Sequence, residues 1–503
     1  MGRTVGIDLG TTYSAVSVIG ETGLPEVLRN AEGQAITPSA VFFDSDGVLV
    51  GQQAKSQRII NREDVVEFVK RYIGDPSWAY YAPSGERYTP ESISALILKK
   101  LVEDAQLALG EPISNVVITV PAYFNDAQRM ATRQAGEIAG LQVDSIINEP
   151  TAAAISYAVE RNFNGTLLVY DLGGGTFDVT LLESKSGDFN IVHTAGDRNL
   201  GGFDFDNAII NWIRESFAEW TGVSLDSDQD EAMLRERAEQ AKHRLSSSES
   251  APIFISAGGH NEKFLLTREK FESLTAGLLS RTEMLVEEVI DEAGVSLSGI
   301  DRVLLVGGST RMPMVAKMME RLTGQVADST VHPDEAVARG AAIVANVRSS
   351  SSTELVPLKT SNEIVINDVV SHGLGVVVVN SRGIQENSVI IPANTTIPSQ
   401  VGREYYTSVD NQTSIEVSVT EGDEADLRYV KVIGDSTLKI PPHPRSSPVK
   451  VIFSCDIDGI LHIEVIDLVD DKSLGEFEID RQGVMNVSDV KLMRSSVAKT
   501  TVF

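Results

Sequence analysis

The sequence predicts an α/β protein of two duplicated lobes followed by an antiparallel β-sandwich domain, and three observations support this fold class. The stretch "GIDLGTTYSAV", residues 6–16, places an acid and two threonines at a tight turn between two strand patterns. "LLVYDLGGGTFDV", residues 167–179, repeats this strand, acid and glycine turn, which indicates an internal duplication. After residue 348, strands alternating with long helical patterns give way to short alternating strands and turn signals.

The two glycine turns have the composition of phosphate-binding loops. Glycine allows the backbone to approach a ligand closely, and the threonines place hydroxyl groups beside main-chain N–H groups. Asp8 and Asp171 stand at the start of the two turns, and Mg²⁺ is usually held by one or two carboxylates together with phosphate oxygens. Two such hairpins facing each other would bind a magnesium nucleotide. For the first turn alone, a polar hairpin turn without a ligand explains the residues equally well.

A third glycine loop, "RVLLVGGSTRMP" at residues 302–313, again follows an apolar strand and adds Arg311. The Walker pattern of a P-loop is absent from the sequence, and no Rossmann glycine fingerprint stands between a strand and a helix. The duplicated hairpin loops, taken together with this third loop, predict the actin-like ATPase fold.

The composition excludes several classes of partner and site. The 71 acidic residues outnumber the 43 basic ones and give a formal net charge of −28, which repels nucleic acid and anionic membranes. Cys455 is the only cysteine, so no intrachain disulfide can form. The first residues lack the apolar stretch of a signal peptide, and the seven histidines are scattered without metal-ligand spacing. We therefore expect a cytoplasmic protein that binds neither nucleic acid nor membrane.

Five ordered motifs carry a resemblance to a known family. They are "GIDLGTTYS", "VITVPAYFNDAQR", "NEPTAAAISYA", "DLGGGTFDV" and "LLVGGSTRMP". In this order they resemble the nucleotide domain of the seventy-kilodalton heat-shock chaperones of the DnaK type. The resemblance continues through "DNQTSIEV" (residues 410–417) and "DIDGILHIEVID" (residues 456–467), and so covers nearly the whole chain.

The resemblance implies a division of the chain into four parts. Residues 1–354 correspond to an actin-like nucleotide-binding domain, residues 355–368 to a linker, and residues 369–484 to a β-sandwich that binds peptides. Residues 485–503 would form a short remnant of the family's helical lid, or a tail. The implied function is that of an ATP-dependent chaperone, which couples the binding of extended apolar segments of unfolded polypeptides to ATP hydrolysis.

The resemblance also implies the residues of the ATPase site. Lys70, Glu149, Asp171 and Thr176 correspond to catalytic residues, and Asp8 and Asp171 would hold Mg²⁺ mainly through water. The residues that correspond to the nucleotide site are Asp8, Gly10, Thr11, Thr12, Tyr13, Gly173, Gly174, Gly175, Gly201, Gly202, Glu239, Lys242, Ser246, Gly307, Gly308, Ser309, Arg311 and Asp334. His243 departs from the family at the position that faces adenine. Without the resemblance, Lys70 is an ordinary surface lysine and Glu149 an N-terminal helix cap.

The resemblance implies a second site, for peptide, in the β-domain. Its lining would be Val376, Val379, Tyr405, Ser408, Ile415 and Val417. Alternating valines and isoleucines also mark buried sheet faces, so each residue is equally well explained as core. The strip Ile364, Val365 and Ile366 would carry the signal between the domains by docking on the ATPase domain, and its alternative is one more strand of the β-domain.

The expected partners follow from the family as well. They are ATP or ADP, Mg²⁺, K⁺ as a second cation, unfolded polypeptide, a J-domain co-chaperone and a nucleotide-exchange factor, with the protein itself a monomer. Residues 74–90 form a shorter stretch than the corresponding region of the family, so the usual contact between this region and a nucleotide-exchange factor is in doubt. Two other functions remain compatible with the actin-like fold, a small-molecule kinase and a filament-forming ATPase, although neither explains the β-domain.

Overall fold

The structure, a computed structural model, describes residues 3–44, 47–328, 332–348, 364–477 and 484–503. The elements of the first lobe are β1 (Arg3–Asp8), β2 (Tyr13–Ile19), β3 (Pro25–Leu28), β4 (Thr37–Pro38), β5 (Ala40–Asp44), β6 (Gly47–Val50), α1 (Gln52–Ser56), β7 (Val65–Glu67), β8 (Tyr80–Tyr81), β9 (Arg87–Tyr88), α2 (Pro90–Leu109), β10 (Ile113–Val120), α3 (Asp126–Ile138) and β11 (Gln142–Asn148).

The central sheet of the first lobe has the order β11-β10-β1-β2-β3, with β4 beside β2. β1 and β2 form the antiparallel hairpin that the first glycine motif predicts, and β10 lies parallel to β1. Helix α2 begins after Thr89, whose side chain accepts a hydrogen bond from the Ser92 N–H, and has Pro90 in its first turn. Apolar side chains of the sheet and of α2 form one continuous core.

The second lobe repeats this plan. Its elements are α4 (Glu149–Arg161), β12 (Gly165–Leu172), β13 (Phe177–Lys185), β14 (Asp188–Asp197), α5 (Gly202–Thr221), α6 (Asp228–Leu245), β15 (Ser250–Ala257), β16 (His260–Thr267), α7 (Arg268–Glu292), β17 (Arg302–Val306), α8 (Pro313–Thr323) and α9 (Ala336–Arg348). β12 and β13 form the second predicted hairpin, and β17 lies parallel to β12 just before the third glycine loop.

Two helices, α4 and α9, pack tightly between the sheets of the two lobes. A Cβ atom on Gly340 of α9 would lie 1.7 Å from the carbonyl oxygen of Ala152 in α4. A Cβ atom on Gly6 of β1 would lie 2.1 Å from the backbone nitrogen of Ala342. Glycine is therefore required at position 340 of α9 and at position 6 of β1. The close contacts at these two glycines hold α9 against α4 on one side and against β1 on the other.

The β-domain follows the second lobe. Its elements and the segments that flank it are β18 (Val365–Asn367), β19 (Leu374–Val379), β20 (Gln385–Ile391), β21 (Ser399–Tyr406), β22 (Gln412–Glu421), β23 (Lys431–His443), β24 (Pro448–Cys455), β25 (Leu461–Asp467), β26 (Lys472–Phe477) and α10 (Val487–Lys499). Two antiparallel sheets, β20-β19-β22-β23 and β21-β24-β25-β26, enclose a common apolar core, as the sequence predicts for a sandwich.

The segments that flank the β-domain pack against the lobes. β18 joins the second lobe's sheet as a parallel partner of β14, with Val365 opposite Asp188. The alternative assignment of Ile364 to Ile366 as a strand of the β-domain is therefore wrong. At the other end, the Val497 side chain of α10 is buried in the core of the first lobe. Predicted linker residues 355–363 lie outside the described residues.

None of the helices described has the length and apolar character needed to cross a membrane.

Candidate functional site

The three glycine loops meet in a cleft of about 340 Å³ between the two lobes. The turn after β1 faces the turn after β12 closely, because a Cβ atom on Gly174 would lie 1.8 Å from the Thr12 hydroxyl oxygen. Gly307, at the start of the third loop, has a φ of 82° and packs against the Leu172 carbonyl. Main-chain N–H groups and threonine hydroxyls thus converge from both lobes on one cavity, an arrangement suited to phosphate.

Four carboxylates from both lobes lie at or beneath the bottom of this cleft. Burial, followed by the charge of Glu149, raises the pKa values of Asp8 and Asp178 to about 7. The same two causes, in the same order, raise the pKa of Asp171 well above its ordinary value. The Asp171 Oδ2 atom is buried and has no hydrogen-bond partner in the part of the chain that the structure describes. A cluster of crowded, desolvated carboxylates with an unpaired oxygen fits a bound divalent cation, which would restore their ionised form.

Lys70 is buried, with 3% of its surface exposed, and its ammonium donates a hydrogen bond to Glu149 Oε1. It lies on a short 3₁₀ turn, residues 69–72, that places it opposite α4, where Glu149 is the first helical residue. The alternative of an ordinary surface lysine is therefore wrong. Because an unpaired buried ammonium is costly, the Glu149 partner fixes the position of this charge in the cleft.

The opposite part of the cleft is built from α6 and the third loop. Lys242 donates hydrogen bonds to the Gly202 carbonyl (2.8 Å) and to Asp206 Oδ2 (2.9 Å). Glu239 accepts hydrogen bonds from Lys55 (2.7 Å) and Arg58 (3.5 Å) of the first lobe, and these cations lower its pKa although burial opposes them. The α6 helix therefore forms the second lobe's side of the cleft, and Glu239 connects this helix to the first lobe.

His243 also lines this wall, where burial and then Lys242 lower its pKa. It is therefore held neutral at physiological pH, and a neutral imidazole is compatible with a neighbouring base. Arg311 and Asp334 form a partly exposed ion pair (2.5 Å) at the rim of the same cavity.

Most of the residues predicted for the nucleotide site line this one cleft. The predicted residues that line it are Asp8, Gly10, Thr11, Thr12, Tyr13, Lys70, Glu149, Asp171, Gly173, Gly174, Thr176, Gly202, Glu239, Lys242, Ser246, Gly307, Gly308, Ser309, Arg311 and Asp334. Gly175 and Gly201 do not line it. They pack against each other, since a Cβ atom on Gly201 would lie 2.5 Å from Gly175 Cα, and so they join the second loop to the start of α5.

Sequence reasoning missed several residues of the cleft wall. They are Ser14, Ile36, Phe68, Phe203, Asp206, Arg235, His243 as a lining residue, Met312, Pro333 and Val337. Phe203 and Asp206 were within reach, because they follow the predicted Gly202 on the same helix. Ile36 and Val337 carry no sequence signal, since apolar residues in a loop and in a helix are ordinarily core.

The residues predicted for a peptide groove lie on β19, β21, β22 and the turn between the last two strands. Val376 and Val417 are buried in the core of the β-domain, and Tyr405 and Ile415 are partly buried against it. Val379, 62% exposed, and Ser408 are open to solvent. The structure thus divides the set into core residues and accessible ones, and whether they contact peptide stays a prediction.

Polar contacts join the linker and the β-domain to the first lobe. Asp368, buried just after β18, accepts two hydrogen bonds from the Asn148 amide (2.9 Å each). Asn148 in turn accepts one from Arg129 (2.6 Å), and its chain neighbour is Glu149. Asp458 of the β-domain accepts hydrogen bonds from Ser145 (2.5 Å) and from Arg133. Hydrogen bonds therefore join the linker residue Asp368 to Asn148, and the next residue in the chain, Glu149, is a carboxylate of the cleft.

Comparison with known proteins gives matches over nearly the whole chain. The family model described as "Hsp70 protein" matches residues 4–83 and 75–502. The "Chaperone protein DnaK" of Thermus thermophilus, in each of two strains, is 43% identical over 528 residues that cover 98% of this chain and 83% of the relative. The chaperone protein dnaK of Thalassiosira pseudonana is 41% identical over 521 residues, covering 97% and 84%.

Proposed function

This chain belongs to the Hsp70 family, and we propose that the cleft between its lobes is the place where it binds and hydrolyses ATP. The protein is an ATP-dependent chaperone that acts on unfolded polypeptides. The relatives that match 98% and 97% of this chain carry the name of a chaperone, which disfavours a kinase or a filament function. The assignment of the cleft rests chiefly on one observation, the buried carboxylate cluster beside Lys70.

The carboxylate cluster is the proposed metal site. Asp8 and Asp171 would hold a Mg²⁺ ion mainly through water, and the unpaired Oδ2 of Asp171 supports this assignment. Bound there, Mg²⁺ would supply positive charge that offsets part of the negative charge of the phosphates and of the four carboxylates. The Lys70 ammonium by itself does not balance that charge, since the pKa values of Asp8 and Asp171 remain raised in its presence. We propose K⁺ as a second cation for the same reason.

The proposed catalytic roles follow from position. Thr11, Thr12 and Thr176 line the cleft with hydroxyl groups that can donate hydrogen bonds to phosphate oxygens. Lys70 stabilises charge that develops on the transferred phosphoryl group, and Glu149 holds the ammonium in place and can accept a hydrogen bond from the attacking water. The nucleoside lies along α6 and the third loop, beside Glu239, Lys242, Ser246 and Arg311.

The second proposed site is the exposed end of the β-domain, near Val379 and Ser408. An extended peptide can bind such a sandwich through main-chain hydrogen bonds and apolar pockets. Docking of β18 on β14 and the Asp368–Asn148 contact support a linker that passes the nucleotide state to this site. We also propose a J-domain co-chaperone, a nucleotide-exchange factor, a monomeric state and a cytoplasmic location. The single cysteine of the sequence supports the last of these.

ATP turnover, measured with and without an unfolded peptide, tests this function. We expect slow hydrolysis that requires Mg²⁺ and that an extended apolar peptide accelerates. Lys70→Ala is the matched variant, purified in the same way, because it should retain nucleotide binding and lose turnover. Turnover that is unchanged by peptide at saturating concentrations would contradict the chaperone coupling, and turnover retained by the variant would contradict the assigned cleft.

A further inference from the structure

An aromatic ring on the wall of the cleft contacts both lobes. Phe203 lies in the first turn of α5, and its ring centroid is 4.8 Å from that of Phe68 in an edge-to-face arrangement. The guanidinium carbon of Arg71 lies 4.7 Å from the Phe203 centroid, and that of Arg235 lies 4.2 Å from it. Both distances are within the range of cation–π attraction, which strengthens when the cation is shielded from water. The Arg71 and Arg235 side chains are largely buried, at 13% and 12% exposure.

These four side chains come from opposite sides of the cleft. Phe68 and Arg71 belong to the first lobe and flank Lys70 in the chain, whereas Phe203 and Arg235 belong to α5 and α6 of the second lobe. Arg71 also reaches Asp204 (3.4 Å) and the Asn199 carbonyl (3.2 Å). The segment that carries Lys70 is thus attached to the second lobe through the ring of Phe203 and its neighbour Asp204, in addition to the ion pair between Lys70 and Glu149.

Two further details indicate that this attachment is specific. Phe68 has a φ of 59°, in the left-handed region that a bulky residue rarely adopts, and this conformation turns its ring toward Phe203. Arg235 has no hydrogen-bond partner at its buried Nη1 atom among the described residues, although Glu231 holds the side chain (3.0 Å) and the guanidinium faces the ring. The π face of Phe203 is a favourable contact for this buried cation.

We propose that Phe203 is a positioning residue that clasps the two lobes over the bound nucleotide and keeps Lys70 aligned. This inference rests on the proposed function of the cleft in ATP binding. When the ring is removed, the attachment of the Lys70 segment to α5 is weakened, although Arg71 still reaches Asp204, and the cleft opens more often. Nucleotide then dissociates faster, and hydrolysis of bound ATP slows because Lys70 is less well placed. The clasp therefore sets both the lifetime of the bound nucleotide and part of the hydrolysis rate.

Stopped-flow dissociation of a fluorescent ADP analogue, chased with excess ADP, tests the clasp. The variants are Phe203→Leu, which keeps apolar volume without a π face, and Phe203→Tyr, which keeps the ring. The matched control is Phe254→Leu on β15, since Phe254 is exposed away from the cleft and has the Lys263 ammonium 5.6 Å from its centroid. We expect dissociation at least about fivefold faster in Phe203→Leu, and rates within about twofold of wild type in Phe203→Tyr and Phe254→Leu.

A second variant tests the clasp without relying on the folding of the Phe203→Leu protein. Arg71→Gln should accelerate dissociation as well, and the effect of the double variant with Phe203→Leu should be smaller than the product of the two single effects, because both changes remove the contact that the two side chains share. Wild-type dissociation rates in Phe203→Leu, or equal acceleration in Phe203→Tyr and Phe203→Leu, would overturn the clasp alone. Failure of the wild-type protein to bind the fluorescent nucleotide would overturn the proposed function and the clasp together.

Discussion

At the scale of single residues, Lys70 illustrates how tertiary structure changes the meaning of a side chain. In "VVEFVKRYIG" nothing distinguishes it from a solvated lysine, but the 3₁₀ turn directs its ammonium to Glu149 in the interior of the cleft. A preorganised cation in such a site stabilises developing charge more than the bound substrate. The ion pair with Glu149 keeps the cation there in the absence of ligand.

Lys70→Ala is expected to reduce single-turnover hydrolysis of bound ATP by roughly a hundred- to a thousandfold, or about 2.7–4 kcal/mol in transition-state stabilisation. Nucleotide affinity should change much less, because the contact strengthens in the transition state. Quenched-flow measurement of one turnover provides the rate, and equilibrium titration provides the affinity. Lys263→Ala, at an exposed site on β16, is the control. A rate within about threefold of wild type would remove Lys70 from the mechanism.

Asp8 leads to a prediction about pH. Burial and then Glu149 raise its pKa to about 7, whereas cation binding requires the ionised carboxylate. Mg²⁺ binding should therefore release a proton near neutral pH, and its affinity should fall as the pH decreases through 7, by up to about tenfold per pH unit per protonated group. Calorimetric titration of the ADP complex with Mg²⁺ between pH 8 and 6 measures this change.

Asp8→Asn is the matched variant for the pH experiment. The amide does not ionise, so the variant should bind Mg²⁺ weakly at every pH and show a shallower pH dependence than wild type. Identical pH dependence in both proteins would assign the effect to the nucleotide phosphates, which titrate in the same range.

At the scale of elements, the hairpins were the predictable part of the molecule. The turn residues Asp8 to Thr12 and Asp171 to Thr176 combine local turn chemistry with alternating strands, so the sequence predicts both the structure and the ligand class. β18 is different. Its three residues are too few to show the alternating apolar and polar pattern of a strand. They pair with β14 only in the folded lobe, and nothing in the local sequence indicates that register.

Packing of the linker strand changes which substitution best tests its role. Val365, in the middle of the apolar strip, is 41% exposed, while Ile364 is only 7% exposed in the core shared with α4 and α9. Ile364→Asp should therefore disfavour the docked state by burying an unpaired charge, and peptide should cease to stimulate turnover while both sites still bind. Val365→Asp, on the exposed side of the same strand, is the matched control and should retain most of the stimulation.

The measurement is ATP turnover at saturating peptide, with nucleotide and peptide affinities determined separately. Equal stimulation in wild type and Ile364→Asp would mean that the docked strand carries no signal. Loss of stimulation in both variants would point to the charge added to an already acidic surface rather than to the buried contact.

At the scale of the whole molecule, sequence patterns predicted the parts better than their arrangement. Asp458 lies in the turn "DIDG", whose sequence is typical of a hairpin turn. Its carboxylate nevertheless accepts hydrogen bonds from Ser145 and Arg133 of the first lobe. Phe203 and Phe68 are separated by 135 positions, and the sequence around either residue does not predict that the two rings are in contact. Contacts of this kind depend on how complete domains pack, which is a property of surfaces rather than of local periodicity.

Helix α10 bears directly on how the β-domain would hold a peptide. It packs on α2 and α3, its Val497 is buried in the first lobe, and Gln134 exchanges hydrogen bonds with both backbone groups of Met485 just before it. In this arrangement α10 is packed against the first lobe. Val379 and Ser408 of the β-domain are exposed. The state described here, with both β18 and α10 docked on the lobes, should therefore release peptide readily.

Peptide release should depend on which nucleotide is bound. Nucleotide that favours the docked arrangement should accelerate peptide dissociation, and the change should appear in the off-rate, where related complexes chiefly differ. We expect an apolar heptapeptide to dissociate about 5–150-fold faster with ATP than with ADP, the range usual for linked sites. Anisotropy of a fluorescent peptide after addition of excess unlabelled peptide measures both rates, and Ile364→Asp should reduce their ratio because it disfavours docking. Equal rates with the two nucleotides in the wild-type protein would show that docking of β18 and peptide release are independent.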